Sequence, residues 1–226
     1  MKTTTPILRT DIPFYPSHAT KAFPEGEHCV VMSLKMILGV LMPERQFTIE
    51  ELEKITGKAT EGGAFATHYL IWMVDQGFEV KRWDTHDWKA FEREGVDYIR
   101  RVIGDGAADY VAEFADIPYE QSVVDEFLEK VRLVPQKPTV DMAEKAFRDG
   151  WLLRAAVNSR ILNNREGYMG HSIVITGFDG DEVIFHDPGL PAEANRRASR
   201  EVFQRAMDSF GGELDAIRPK SDLQTK

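Results

Sequence analysis

The spacing of apolar residues changes along this chain near Gly150. Before that point apolar positions recur mainly with the period of an amphipathic helix, most clearly over residues 29–41, and only residues 78–83 alternate like a strand. After it they alternate as in β-strands, over residues 152–157, 171–178 and 182–187. Asp179-Gly180, between the last two runs, is a strong hairpin signal. The order predicts an α+β fold, with N-terminal helices packed on a C-terminal antiparallel sheet.

The length of the chain fits one domain. It has 226 residues, of which 42% are hydrophobic, which is enough for one sizeable core. We therefore expect a single domain over residues 1–226. Residues 1–28 contain four prolines and are predicted to form an extended N-terminal arm. Residues 86–150 are predicted to be largely helical and to form a helical insertion.

Charge and cysteine content restrict the partners that we expect. The net charge of −9 disfavours nucleic acid and anionic membrane surfaces, since both attract basic proteins. A single cysteine forms no internal disulfide, and no long apolar run indicates a signal segment or a membrane span. We expect a soluble cytoplasmic protein.

The one cysteine, Cys29, comes at the start of the first predicted helix. A helix N-terminus and a nearby imidazolium both stabilise a thiolate, which is the nucleophilic form of cysteine. His171 and Asp187 lie near the open ends of the predicted hairpin, where antiparallel strands bring side chains together. A carboxylate there would orient the histidine ring and fix its tautomer. The pattern predicts a Cys29, His171 and Asp187 catalytic triad.

A metal site is the alternative use of these side chains. His171, His186 and Asp187 are residue types that bind metals, but neighbouring strand residues point to opposite faces of a sheet. His186 and Asp187 would therefore not readily share one ion. We expect no metal and no cofactor.

Several segments together resemble the C39-like branch of the papain-like cysteine peptidase superfamily. They are the helix of Cys29 with Met32, Leu34, Met36 and Leu38, then Glu51-Leu52 through Thr56-Gly57, Gly77-Phe78, Gly170–Phe178 and Asp187-Pro188-Gly189. Cys29 and His171 are about 140 residues apart, within the roughly 130–150 of papain-type enzymes. The resemblance implies a papain-like α+β fold. It makes Cys29 the nucleophile, His171 the general base and Asp187 the orienting residue.

The chain departs from the pattern of that family beside the cysteine. Family members carry a glutamine several residues before the cysteine, whose amide helps to form the oxyanion hole, and commonly a glycine after it. Here no glutamine precedes Gln46, and Val30 follows Cys29. The replacement candidates are the backbone N–H of Cys29 and the side chain of His28. Asn158, which follows a predicted strand, is either a cleft residue or an ordinary polar loop residue.

Three functions remain open on the sequence. The first is a cysteine peptidase or amide hydrolase that acts on a peptide or a small amide through an acyl-enzyme. The second is an acyltransferase that uses the same triad and passes the acyl group to an amine. The third is a catalytically impaired papain-like domain that only binds a peptide, which the missing glutamine motivates. The sequence does not predict the oligomeric state.

Overall fold

The computed structural model describes residues 6–17, 28–58, 64–189 and 191–220. Within them the helices are α1 (Cys29–Leu41), α2 (Ile49–Thr56), α3 (Thr67–Asp75), α4 (Trp88–Glu94), α5 (Val96–Val102), α6 (Asp105–Phe114), α7 (Ile117–Ser122), α8 (Val124–Lys130), α9 (Val140–Arg148), α10 (Ser159–Leu162) and α11 (Arg200–Phe210). The strands are β1 (Ile7–Leu8), β2 (Phe78–Asp84), β3 (Arg132–Pro135), β4 (Leu152–Asn158), β5 (Gly170–Asp179), β6 (Glu182–Asp187), β7 (Glu193–Ser199) and β8 (Glu213–Pro219).

The strands form one sheet in the order β3-β2-β8-β4-β5-β6-β7, and β1 pairs with β5 outside that path. Helices cover both faces. Side chains of α1 to α8 pack on one face, where Leu152 and Val174 contribute from the sheet. Side chains of α9 and α11 pack on the other, with Leu153, Ile173 and Ile175. The α+β class is confirmed, and the cysteine helix α1 packs against β5, the strand of His171.

Helix α1 is fixed by its apolar side chains. Val31, Leu34 and Leu38 are almost completely buried, and the helix packs against β5. Burial of a leucine or valine side chain contributes about 1.5–3 kcal/mol. The N-terminal end of α1 is thereby held beside the first residues of β5, which places Cys29 near His171.

The β5–β6 hairpin is present as predicted. Asp179 pairs with Glu182, and Gly180 takes a positive φ of 56°, which suits a tight turn. The register shifts between Ile175 and Gly177, where β1 pairs with β5. A Cβ at Gly177 would lie 2.4 Å from the carbonyl oxygen of Ile7, so glycine permits this close approach.

The sheet differs from the predicted C-terminal antiparallel sheet in two ways. It also includes β1, β2 and β3 from earlier in the chain, and β2 pairs with β3 in parallel, so the sheet is mixed. The reason is that β2 joins the sheet through β8, a strand whose buried Asp215 interrupts the apolar pattern. Residues 86–150 contain the six helices α4 to α9 and also β3.

The predicted N-terminal arm is described only in part. Residues 6–17 contain β1 and otherwise irregular chain, and residues 18–27 lie outside the described part. Ser17 donates its backbone N–H to the carbonyl of Pro188 at 2.8 Å, which brings this segment close to Asp187. No helix among the described residues is long and apolar enough to cross a bilayer.

Candidate active site

Cys29 is the first residue of α1, with His28 as its N-cap. The side chain is partly buried, and it lines a cavity between the sheet and the helices α4, α5 and α6. The N-terminal end of a helix carries a partial positive charge, which stabilises an anion within the first turn. The fold therefore places the only thiol of the chain where the thiolate is favoured.

His171 and Asp187 are paired across the open end of the β5–β6 hairpin. His171 Nε2 lies 2.7 Å from Asp187 Oδ1. Asp187 also accepts hydrogen bonds from the backbone N–H of Gly189 at 2.9 Å and from Arg196 at 2.7 Å. Burial works against ionisation, but these three donors lower the pKa of the Asp187 carboxyl well below its usual range. Asp187 is therefore an anion that fixes the orientation of the imidazole.

His171 is the neighbouring side chain that most lowers the pKa of the Cys29 thiol. Because Nε2 is bonded to Asp187, Nδ1 is the ring nitrogen that remains available for proton exchange. Burial raises the pKa of Cys29, but His171 and the backbone N–H of Ser172 outweigh it and bring the pKa below its ordinary value. Burial lowers the pKa of His171, but Asp187 and Cys29 raise it to about 10. Both shifts favour the thiolate of Cys29 and the imidazolium of His171 over the two neutral forms.

A row of hydrogen bonds supports the site from below. Arg154 donates Nε–H to Ser172 Oγ at 2.8 Å, and Ser172 Oγ donates to Ser33 Oγ at 3.0 Å. Ser172 follows His171 on β5, and Ser33 lies one turn after Cys29 on α1. The row therefore links the two elements that carry the proposed nucleophile and base.

Arg154 also belongs to a buried group of charges that we call the ionic cluster, defined as Arg82, Arg154, Glu213 and Asp215. Arg82 Nε lies 2.6 Å from Asp215 Oδ1, and Arg154 Nη1 lies 3.2 Å from Asp215 Oδ2. Glu213 lies 3.3 Å from Arg82 and 3.6 Å from Arg154. Burial raises the pKa of Glu213, but the arginines and His86 lower it to about 2, so the carboxylate is ionised.

Sequence reasoning missed the residues that support the triad. Arg154 stands within the apolar run of β4, and a charge in such a run is the signal that could have marked it, because buried charges require partners. Arg196 holds Asp187 and also donates to the carbonyl of Leu162 at 2.7 Å. It lies on the polar edge strand β7, where the sequence carries no such signal.

The two oxyanion and cleft candidates have other partners. His28 Nε2 lies 2.9 Å from Glu53 Oε1 on α2, so this end of the ring faces the neighbouring helix. The amide of Asn158 donates to the carbonyl of Gly167 and to Ser209 Oγ, each at 3.1 Å. Its oxygen accepts from the backbone of α10, and Asn158 does not line the cavity.

His186 points away from Asp187, as alternation along β6 requires. Its Nε2 lies 3.1 Å from the carbonyl oxygen of Ile12, and its Nδ1 accepts from the backbone N–H of Asn195 at 3.1 Å. In the described part of the chain no three His, Cys, Asp or Glu side chains are arranged to hold a metal ion.

The cavity beside Cys29 has a volume of about 110 Å³. Cys29 and His171 line it together with aromatic and aliphatic side chains of α4, α5 and α6. Arg82, Arg154 and Glu213 of the ionic cluster contribute from the sheet. A substrate in this cavity would contact both Cys29 and His171.

Comparison with known proteins gives structural matches only. No protein-family model matches the chain, and no curated protein matches its sequence. A putative C39-like peptidase from Bacillus anthracis matches at 16% identity and a TM-score of 0.47, over 96% of this chain and 100% of that one. A double glycine motif protease from an AMS/PCAT transporter, in complex with its leader peptide, matches at 14% and 0.46, over 95% and 98%. The peptidase domain of Streptococcus ComA, a bifunctional ABC transporter of a quorum-sensing pathway, matches at 14% and 0.45, over 86% and 93%.

All three matched structures are described as peptidases, proteases or peptidase domains.

Proposed function

We propose that this chain is a cysteine peptidase or amide hydrolase. Cys29 is the nucleophile, His171 the general acid and base, and Asp187 the residue that orients the imidazole. The observation that carries the proposal is that Cys29 and His171 line one cavity, while the Asp187 carboxylate holds the His171 ring at 2.7 Å. A nucleophile, a base within hydrogen-bond reach and a third group that orients the base are the signature of covalent catalysis.

In the acylation step the Cys29 thiolate attacks the carbonyl carbon of an amide. A carbon–sulfur bond forms, and the electron pair of the carbonyl moves to oxygen. The intermediate collapses as the carbon–nitrogen bond breaks, and the amine leaves with the proton of His171 Nδ1. The products of this step are a thioester on Cys29 and a free amine.

Deacylation uses the same groups in reverse. Neutral His171 removes a proton from a water molecule, and the hydroxide attacks the thioester carbon. The carbon–sulfur bond breaks, the acid leaves, and the thiolate–imidazolium pair is restored. Asp187 keeps the ring in one orientation through both steps, since its bond to Nε2 leaves Nδ1 free to exchange the proton.

For the oxyanion we propose the backbone N–H of Cys29 as a donor, because it lies at the start of α1, where helical N–H groups lack partners within the helix. The glutamine of the resembling family is absent. Removal of one oxyanion donor typically costs about 10²–10³ in rate. We therefore expect slower turnover than a complete oxyanion hole would give.

We further propose that residues 1–226 act as one catalytic domain, with residues 86–150 as an insertion that covers the cavity. A catalytic thiolate works only while reduced, so we propose a reducing compartment such as the cytoplasm as its place of action.

The second candidate function is a peptide-binding domain without turnover, which the missing glutamine favours. In this case a bound peptide would be recovered uncleaved. Replacement of Cys29 by alanine would leave the affinity for that peptide unchanged.

The experiment that tests the proposed function uses the single cysteine. Intact-mass measurement of alkylation by iodoacetamide reports on Cys29 alone, and the urea-unfolded chain gives the rate of an ordinary thiol. At pH 6 we expect the folded chain to react at least about tenfold faster, because its thiolate persists there.

The same protein is then incubated with a peptide mixture. Cleavage that Cys29→Ala abolishes supports a hydrolase, and acyl transfer to an added amine would identify a transferase. Equal alkylation rates in the folded and unfolded chain would contradict the proposal.

A further inference from the structure

The cavity beside Cys29 has two kinds of wall. The helices α4, α5 and α6 contribute apolar and aromatic side chains, among them Trp88, Phe91, Ile99, Val111 and Phe114. The polar lining comes mainly from the sheet side, from Arg82, Arg154 and Glu213, and from His86 just after β2. A group that enters the cavity from Cys29 therefore contacts aromatic side chains of the helices, here called the wall, and polar side chains on the sheet side, here called the floor.

The size of the cavity suits one ring. Its volume of about 110 Å³ is of the same order as the roughly 150 Å³ of an engineered apolar cavity that binds benzene. The aromatic side chains of the wall also offer edges and faces for ring contacts, which add roughly 0.5–1.5 kcal/mol to burial alone.

The charges of the floor are already paired with each other. Glu213 lies between Arg82 at 3.3 Å and Arg154 at 3.6 Å, and His86 Nε2 lies 3.3 Å from its other oxygen. Asp215 lies 2.6 Å from Arg82 and 3.2 Å from Arg154, so the two guanidinium charges are balanced by the two carboxylates Glu213 and Asp215. An additional charge brought into this space would lose its hydration without gaining an unshared partner, which is unfavourable. The floor therefore selects a neutral group.

We propose that the substrate carries an aromatic side chain next to the bond that Cys29 attacks, and that this side chain occupies the cavity walled by α4 to α6. The inference rests on the proposed function, because it names the substrate class of the same site. Residues 88–114 are then the specificity element of the protein.

The test uses chloroacetamides, in which the Cys29 sulfur forms a bond to the methylene carbon as chloride leaves. N-methyl, N-phenethyl and N-(4-aminobutyl) chloroacetamide differ only in the arm that would enter the cavity. Rates are measured by intact mass and divided by the rates with glutathione. We expect the phenethyl reagent to react at least about tenfold faster than the methyl reagent, and the charged aminobutyl reagent no faster than methyl.

Two variants place the preference in the cavity. Val111→Trp fills it from α6 and should bring the phenethyl-to-methyl ratio close to one. Val102→Trp is the matched control, since Val102 is half-exposed on α5 and does not line the cavity. It should keep the ratio of the parent chain. Because the unfolded chain also reacts, with a ratio near one, urea unfolding must first show that each variant is folded under the conditions of the assay.

The outcomes separate the inference from the proposed function. A phenethyl-to-methyl ratio near one in the parent chain, or a ratio that Val111→Trp leaves unchanged, overturns the aromatic pocket. A methyl reagent that reacts no faster with the folded than with the unfolded chain contradicts the activated thiol instead. The phenethyl-to-methyl ratio therefore tests the aromatic pocket whether or not the thiol of Cys29 is activated.

Discussion

Cys29 and Asp215 both lie among buried ionisable groups, yet their surroundings differ in one respect. Asp215 is enclosed by donors: Arg82 at 2.6 Å, Arg154 at 3.2 Å and the hydroxyl of Tyr69 at 3.0 Å. His171 and the N–H of Ser172 lower the pKa of the Cys29 thiol, and the side chain of Cys29 borders the cavity. A closed set of partners stabilises the fold, whereas an anion with an open side can react.

The comparison shows how the two regions depend on each other. Arg154 bonds to Asp215 in the ionic cluster and to Ser172 beside the site. Because Ser172 on β5 bonds to Ser33 on α1, the ionic cluster supports the contact between these two elements. Changes in the ionic cluster should therefore act mainly on stability. Changes in the triad should act mainly on reactivity, and the predictions below test that division.

The largest effect on stability is expected for Asp215→Ala. The substitution leaves Arg82 and Arg154 without their shared carboxylate in a buried environment, and breaking a buried pair in this way costs about 3–5 kcal/mol. Urea unfolding measures the loss. Asp125→Ala is the control, because Asp125 is largely exposed and pairs with Lys89 at the surface, where little change is expected. A loss equal to that of the control would mean that the ionic cluster does not hold the sheet together.

A smaller effect, on reactivity, is expected for Asp187→Ala. Without the carboxylate His171 loses its orientation and the partner that most favours its charged form, so alkylation of Cys29 at pH 7 should slow by about 10–100-fold. Asp187→Asn keeps an acceptor oxygen for Nε2–H and should lose less. Equal rates in all three proteins would show that Asp187 does not support the imidazolium.

The smallest effect is expected for Ser33→Ala, at the junction of the two regions. Loss of one buried hydrogen bond to Ser172 should lower the free energy of unfolding by about 1 kcal/mol. Alkylation of Cys29 should change little, because Arg154 still holds Ser172. Ser122→Ala is the exposed control. A large loss of reactivity without a loss of stability would place Ser33 with the triad instead.

Local signals predicted the parts of the fold that local residues determine. Asp179 and Gly180 gave the β5–β6 hairpin, which brings His171 and Asp187 together, and the apolar stripe of α1 gave the helix of Cys29. The hairpin brings the strand ends that carry His171 and Asp187 together, and the bonds of Asp187 to Gly189 and Arg196 complete its position. The catalytic role of the three residues stays a prediction.

The rest of the fold depends on contacts that are distant in sequence. Strand β8 was not predicted, because Glu213 and Asp215 replace apolar residues and their partners lie on β2 and β4. Strand β7 is an edge strand with mostly polar residues, and its Arg196 reaches Asp187 only in the folded chain. A buried charged residue interrupts the alternation of apolar residues that marks a strand. The oppositely charged partner that makes its burial possible is visible only in the structure.

The pH dependence of Cys29 alkylation tests the central claim most directly. An ordinary thiol reacts with a midpoint near about pH 8.5. Because the pKa of Cys29 is lowered and that of His171 is raised to about 10, the folded chain should keep its thiolate as the pH falls. We predict a midpoint well below that of the unfolded chain, and a shift back towards it in His171→Ala. A midpoint at or above that of the unfolded chain, or one that His171→Ala leaves in place, would contradict a thiolate–imidazolium pair.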